Sequence, residues 1–320
     1  ELDVQWIDKT DWEYKTTFTA DKNMLNRDRV ELDFQGLDTY ADVFLNGAQI
    51  LAANNMFREW QVDVKELLNE GENEMRIVFK SPIKIGLEKY DANEFVYPGA
   101  ENDQAERGQV EGNKRVSIYT RKAGYHYGWD WGPRLVTSGI WRPVNLKAWD
   151  EARIENLRIV QHEVSDEKAT FTAEFEVEAE GNKKATFTVN NDGTTFASSK
   201  KIHVQEGVNK YSVDFEIENP QLWWTNGLGE AHLYNISGEM KIGQRTFAEN
   251  TRIGIRTLEL VREEDEFGTS FYFKLNGHPV FMKGANYIPQ DVFLPRVTPG
   301  DYRHIVQSAA DANMNMLRVW

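Results

Sequence analysis

Polar and apolar positions alternate with period two over much of this chain, and the alternation predicts strands. In Arg29–Phe34, Val30, Leu32 and Phe34 fall on one face and Glu31 and Asp33 on the other, the pattern of a half-buried strand. The run from Asp42 to Ile50 is split by Asn46-Gly47, two residues that tolerate positive φ and so mark a tight hairpin. Glu70 to Pro82 adds a glycine-containing turn, a strand through Phe79 and a stop at Pro82. Strands spaced like these predict an antiparallel sandwich from about Lys15 to Trp149. Gly86 to Asn113 breaks the rhythm with a long polar stretch, a length of loop that usually binds or covers something. Alternation returns in Arg115 to Gly124, which reads as one more strand before the run Tyr125 to Leu135.

Beyond Trp149 the pattern restarts. Five alternating runs, at 154–164, 168–180, 184–192, 209–220 and 232–243, are separated by turns such as Asn191-Asp192-Gly193. Their spacing predicts an immunoglobulin-like sandwich, and with no cysteine in the chain it lacks the disulfide of an antibody domain. The last 60 or so residues change class. A hairpin turns through Asn276-Gly277, and a strand Val280 to Lys283 leads into a loop, Gly284 to Val297. A helix then starts with Thr298 as N-cap, Pro299 at the first helical position and Asp301 near the positive dipole end. Tyr302, Ile305, Val306 and Ala309 are its expected buried stripe, and Met314 to Trp320 resumes as a strand. Strand, helix, strand in this span is a parallel crossover unit, which needs cover on both faces. The expected fold class is therefore mainly β. An antiparallel sandwich occupies 1–151, an immunoglobulin-like sandwich 152–257, and the opening of a larger α/β domain 258–320.

Charge narrows the partners. With 51 acidic against 37 basic residues, a net charge of −14 and no basic run, the chain is ill suited to nucleic acid or an anionic membrane, and a neutral substrate is expected. The absence of cysteine excludes disulfides and thiolate metal sites. No apolar run approaches the roughly 20 residues of a membrane span. The chain begins at Glu1 rather than methionine, which fits either a removed signal peptide or a trimmed sequence; it leaves the compartment open, with a periplasmic or secreted location favoured over a cytoplasmic one.

Three places carry candidate chemistry. In Gly128 to Pro133, Trp129 and Trp131 flank Asp130. Two indole faces and a carboxylate on a glycine-bracketed loop suit the C–H face and the hydroxyls of a sugar. The competing reading is that both indoles plug the sandwich and Asp130 caps a turn. Asn286 and Asp291 sit in the loop leaving the strand that starts at Val280, where α/β barrels put their active sites; turn chemistry beside Pro289 is the alternative. Arg318 and Trp320 share a face of the last strand, and an inward Arg318 would require carboxylate partners, whereas an edge position would not. Glu263, Glu264, Asp265 and Glu266 read as a solvated turn. No phosphate-cradling loop and no metal-ligand spacing occurs, so no cofactor and no metal is expected.

Taken together, Gly124 to Val144, Phe281 to Phe293 and Asn313 to Trp320 resemble the β-mannosidase branch of family 2 of the glycoside hydrolases, at matching positions over essentially the whole chain. The resemblance implies a jelly-roll sugar-binding-like domain, an immunoglobulin-like sandwich and the start of a (β/α)8 TIM barrel. It further implies retaining, exo-acting hydrolysis of terminal β-D-mannosyl units from β-mannoside oligosaccharides or glycans. Two glutamates on later barrel strands would act, with none of the catalytic pair in these 320 residues. Trp129, Asp130 and Trp131 would close the mannosyl pocket, and Asn286, Asp291, Arg318 and Trp320 would line it. A β-galactosidase, a β-glucuronidase or a non-catalytic carbohydrate-binding fragment are the alternatives. In each enzymatic case the rest of the barrel is required, and the chain alone is expected to be inactive and poorly soluble.

Overall fold

The computed structural model describes residues 2–100, 103, 114–130 and 132–320. They gather into two compact units, Glu1–Trp149 with Pro289–Val297, and Asp150–Ile288 with Thr298–Trp320.

In the first unit Trp12–Ala20, Gly71–Lys80, Tyr40–Leu45 and Ala48–Asn54 lie side by side in that order, each antiparallel to its neighbour. Arg29–Phe34 is the middle strand of a second sheet, between Trp60–Asp63 and Val144–Trp149. Phe34, Leu37, Val43, Leu45, Ile77 and Phe79 fill the core they share. Asn46 and Gly47 make the predicted turn, with φ of 50° and 86°. Glu31 and Asp33, expected on a wet face, are instead buried. Their strand is flanked on both sides, and Lys147 from one neighbour reaches Asp33 at 2.8 Å.

Two further expectations need correcting. Pro82 does end a strand, but it also begins the helix Pro82–Asp91, with Ser81 Oγ accepting from Lys84 N–H at 3.1 Å. The residue that cannot donate inside a ladder loses nothing at a helix's first turn. Arg115 to Gly124 is not a strand: it contains the short 3-10 helix Ser117–Tyr119, and its one β-type pairing is the isolated bridge of Arg121 with Asn55. Its Val116 is spent on a satellite core with Ile83, Tyr127 and Val136 under the new helix. A β-carbon at Gly86 would lie 2.9 Å from Val116 Cβ, so the helix is a glycine's width from this segment. Most of the polar stretch that follows the helix, 101–102 and 104–113, lies outside the described residues.

In the second unit Ala152–Val164, Lys168–Ala179 and Gly207–Glu218 form one antiparallel sheet. Thr194–Ser198, Lys183–Asn191, Tyr234–Ile242 and Arg245–Ile253 form the facing one, to which Ile202–Val204 adds a short fifth strand. Ala and Phe alternate inward along Lys168–Ala179, so that Phe171 and Phe175 meet Phe187, Ile236 and Met240 in a dry core. This is the immunoglobulin-like sandwich, with three strands the alternation did not single out: the short Thr194–Ser198 and Ile202–Val204, and the longer Arg245–Ile253.

After it, Leu258–Val261, Tyr272–Leu275 and His278–Val280 make a small antiparallel sheet turned by Asn276 and Gly277. Glu264–Asp265 and Gly268–Thr269 pair at its exposed end, with Glu263 to Glu266 solvated as expected. The parallel pair is Gly284–Tyr287 with Met316–Val319, joined through the helix Pro299–Asp311. The first parallel strand is thus not Val280 to Lys283, because Val280 is still committed to the hairpin. The chain can cross close to its partner only at Gly284, where a β-carbon would fall 2.2 Å from the Met316 carbonyl. Thr298 and Asp301 form a full capping box. The helix stripe differs from expectation: Tyr302 and Val306 are 45% and 59% exposed, and no residue of this helix is buried.

Candidate functional site

The glycine-rich run is built around one plug. Tyr127 is fully buried among Ile83, Val116 and Val136, and burial raises its phenol pKa. From that anchor the chain turns outward: Leu135 N–H donates to the His126 carbonyl at 2.9 Å, and Trp129 and Gly132 exchange backbone hydrogen bonds at 3.2 and 3.4 Å. Trp129 is half-buried beside the tip and Asp130 is exposed on it. Trp131 lies outside the described residues. Arg134 has a purely structural part, ion-paired with Asp8 at 2.5 Å and bonded to Gln5.

A second candidate segment is brought to this loop from more than 150 residues away. Pro289–Val297 belongs to the first unit, and His126 Nε2–H donates to the Val292 carbonyl at 3.0 Å. A β-carbon at Gly132 would sit 3.7 Å from Val292 Cγ2. Asp291 lies on this segment, where its Oδ1 accepts from Phe293 N–H at 2.8 Å and from Arg296 at 2.7 Å. The Arg296 hydrogen bond, followed by that of the Phe293 amide, holds the Asp291 carboxyl below the usual range. Trp129, Asp130 and Asp291 therefore stand on two loops of one unit that touch.

The other three candidates fall together in the second unit. Asn286 is on the parallel strand itself, not in the loop after it, and faces Arg318 in register. Arg318 Nη1 donates to Asn286 Oδ1 at 3.3 Å, so this exposed arginine is aligned by an amide rather than by a carboxylate. Trp320 follows the strand, with its backbone N–H bonded to the Tyr287 carbonyl at 2.9 Å and its indole 48% exposed. Asn315, which shares neither face, is the clamp of the pair: its side chain accepts from Lys283 N–H at 2.8 Å and donates to the Phe281 carbonyl at 3.0 Å.

Sequence reasoning missed a buried ionic network behind His126. Lys122 and Asp38 are ion-paired with side chains 0% and 2% exposed. Thr137 Oγ1 accepts from Lys122 at 2.7 Å and donates to Asp38 at 2.6 Å, while Thr39 supplies a further donor to Asp38. Thr137's single proton is thus spent on Asp38, and His126 Nδ1, 3.4 Å away, is left as an acceptor. Burial, then the neighbouring Lys122 charge, lowers the His126 pKa to about 4, against the smaller opposing pull of Asp38 and Val292. Burial likewise lowers Lys122, with Asp38 opposing. The imidazole is therefore neutral across the usual pH range, with its proton on Nε2. No short-range signal marks this network, since Asp38 and Lys122 are 84 residues apart. Among the described residues no group of three or more acidic, histidine or cysteine side chains could hold a metal ion. Nor is any helix long and apolar enough to cross a membrane.

Residues 1–142 match the family model described as glycosyl hydrolase 2 galactose-binding domain-like, and residues 152–256 match that of glycosyl hydrolases family 2. The chain belongs to glycosyl hydrolase family 2. Among family 2 relatives, Beta-mannosidase B of Emericella nidulans is 36% identical over the whole chain and that of Aspergillus niger 35%. The chain spans 37% of the length of each of these relatives. The crystal structure of the β-D-mannosidase of Dictyoglomus thermophilum superposes with a TM-score of 0.86 at 36% identity, covering all of this chain and 38% of that one. The exo-chitosanase CsxA of Amycolatopsis orientalis, with a TM-score of 0.69 at 19% identity over 98% of this chain and 33% of that one, shares the fold.

Proposed function

We propose that this chain is the N-terminal part of a retaining exo-β-mannosidase that releases terminal non-reducing β-D-mannosyl units from β-mannoside oligosaccharides or glycans. The observation that carries the reading is the match to Beta-mannosidase B over 100% of the chain at 36% identity. Neighbours named β-galactosidase and β-glucuronidase stand at 17%. The parallel strand–helix–strand over residues 284–319 supports reading the end of the chain as the opening of a (β/α)8 barrel. Later barrel strands would carry two glutamates about 5–5.5 Å apart, one as acid/base and one as nucleophile.

In this reading Trp129 gives the sugar's C–H face an apolar wall, and Asp130, exposed at the loop tip, accepts hydrogen bonds from ring hydroxyls without moving a proton. Trp131 joins them by sequence. Asn286, Asp291, Arg318 and Trp320 are the further substrate-binding residues in this reading. No cofactor takes part in a double displacement by carboxylates. The test is a panel of aryl β-glycosides given to the full-length polypeptide. Preference for the mannoside by about 10²-fold or more in kcat/KM is expected, the size of discrimination that paired hydroxyl contacts can supply. Faster turnover of the galactoside or glucuronide would overturn the assignment.

A further inference from the structure

Pro289–Val297 joins the first parallel strand to the helix in sequence, yet it packs with the sandwich formed by the start of the chain. Phe293, Leu294 and Pro295 line, together with Met56 and Trp141, an open and largely apolar cleft of about 200 Å³. His126 Nε2–H reaches across to this segment, donating to the Val292 carbonyl at 3.0 Å. His126 is itself over-determined. Its own backbone closes the Trp129–Asp130 loop through Leu135, its ring meets that of Tyr125 edge-on, and its Nδ1 side abuts Thr137, which Lys122 and Asp38 lock from behind.

We propose that His126 is a positioning residue, whose bond to Val292 pins the Pro289–Val297 loop to the sandwich and so sets where Asp291 is presented to the sugar beside Trp129 and Asp130. The residue before the acceptor carbonyl is Asp291, so a shift of the pinned peptide moves that carboxylate directly. The proposal rests on the glycosidase reading above. A neutral imidazole serves this role because it can donate from Nε2 without bringing a second cation against Lys122.

The test compares wild-type, His126→Phe and His126→Gln full-length protein in two measurements. Phenylalanine fills the ring's volume without a donor, whereas glutamine restores an N–H near the Nε2 position. Amide exchange across residues 290–297 is expected to quicken at least about tenfold in the Phe variant and to recover in the Gln variant. On an aryl β-mannoside the Phe variant should lose about tenfold in kcat/KM, mainly through KM, because a displaced binding group removes binding rather than chemistry. A merely structural defect would reduce the active fraction and leave KM alone. Should Phe prevent folding, His126→Asn withdraws the donor by one bond length and serves the same comparison. Unchanged exchange with normal folding overturns the pin. Faster exchange with unchanged KM overturns its role at the sugar. If the wild-type protein turns over no β-mannoside, the glycosidase reading and the role at the sugar both fail, and exchange alone still decides the pin.

Discussion

Asp130 is exposed on a turn whose backbone bonds run between Trp129 and Gly132, so its carboxylate is not a support of the fold. Replacing it by alanine should leave the thermal midpoint of the full-length protein nearly unchanged. Loss of a charge-assisted hydrogen bond to a hydroxyl should cost about 1.5–3 kcal/mol, or roughly 10- to 150-fold in kcat/KM on an aryl β-mannoside. A large fall in midpoint with catalysis intact would return Asp130 to the role of turn cap. His126 behaves oppositely, since its value lies in being buried. Its pKa near 4 in the folded chain compares with 6.5 in the unfolded one, so between those values the unfolded state binds more protons. Stability from this group is complete above pH 6.5 and is lost as pH falls to 4, by up to about 3 kcal/mol. Urea midpoints measured from pH 7.5 down to 4.5 should therefore fall more steeply in wild type than in His126→Gln. Parallel slopes would show that the imidazole is not held neutral.

At the scale of elements, what was legible is what is locally determined. Asn46-Gly47 and Asn276-Gly277 announce hairpins because each pair accepts the positive φ its turn demands, and Thr298 with Asp301 closes a capping box within four residues. Illegible were choices made by distant partners. Arg115 to Gly124 alternates like a strand, yet Val116 is drawn beneath the helix Pro82–Asp91, and that helix itself was hidden by reading Pro82 only as a terminator. At the candidate site the sequence named both loops, but not that His126 and Val292 join them or that Lys122 and Asp38 stand behind. Contacts spanning 84 and 166 residues leave no periodic trace. The parallel pair gives a sharp test of such long-range constraint. Gly284→Ala places a methyl 2.2 Å from the Met316 carbonyl, and backbone cannot yield as a side chain can. A loss of about 1–3 kcal/mol is expected, with amides of Met316–Val319 exchanging early. Wild-type protection there would mean the two strands are not in this register.

Over the whole molecule, apolar surface is distributed unevenly. Both sandwiches have phenylalanines in their cores, with Phe57 and Phe95 of the first unit left exposed, whereas at the end of the chain Phe281 is 83% exposed, Phe271 69% and Val319 74%. Phe271, Phe281 and Met316 line one apolar hollow, and the adjoining helix shows Tyr302 and Val306 to solvent. Contiguous apolar surface of this kind, next to a two-stranded parallel pair with open edges, favours association. The net charge of −14 opposes it at low ionic strength, where like-charged copies repel. The 320-residue polypeptide prepared alone should therefore bind a hydrophobic dye strongly and sediment as monomer in dilute buffer. It should self-associate progressively as salt shortens the screening length. Substituting Phe281 and Val306 by serine should weaken both dye binding and salt-driven association without lowering the unfolding midpoint of the sandwiches, since neither side chain touches their cores. In none of these states should an aryl β-mannoside be hydrolysed, because the proposed acid/base and nucleophile lie on barrel strands that these residues do not include. Dye binding that stayed low, or association that salt suppressed, would show that charge rather than uncovered apolar surface governs how this polypeptide behaves.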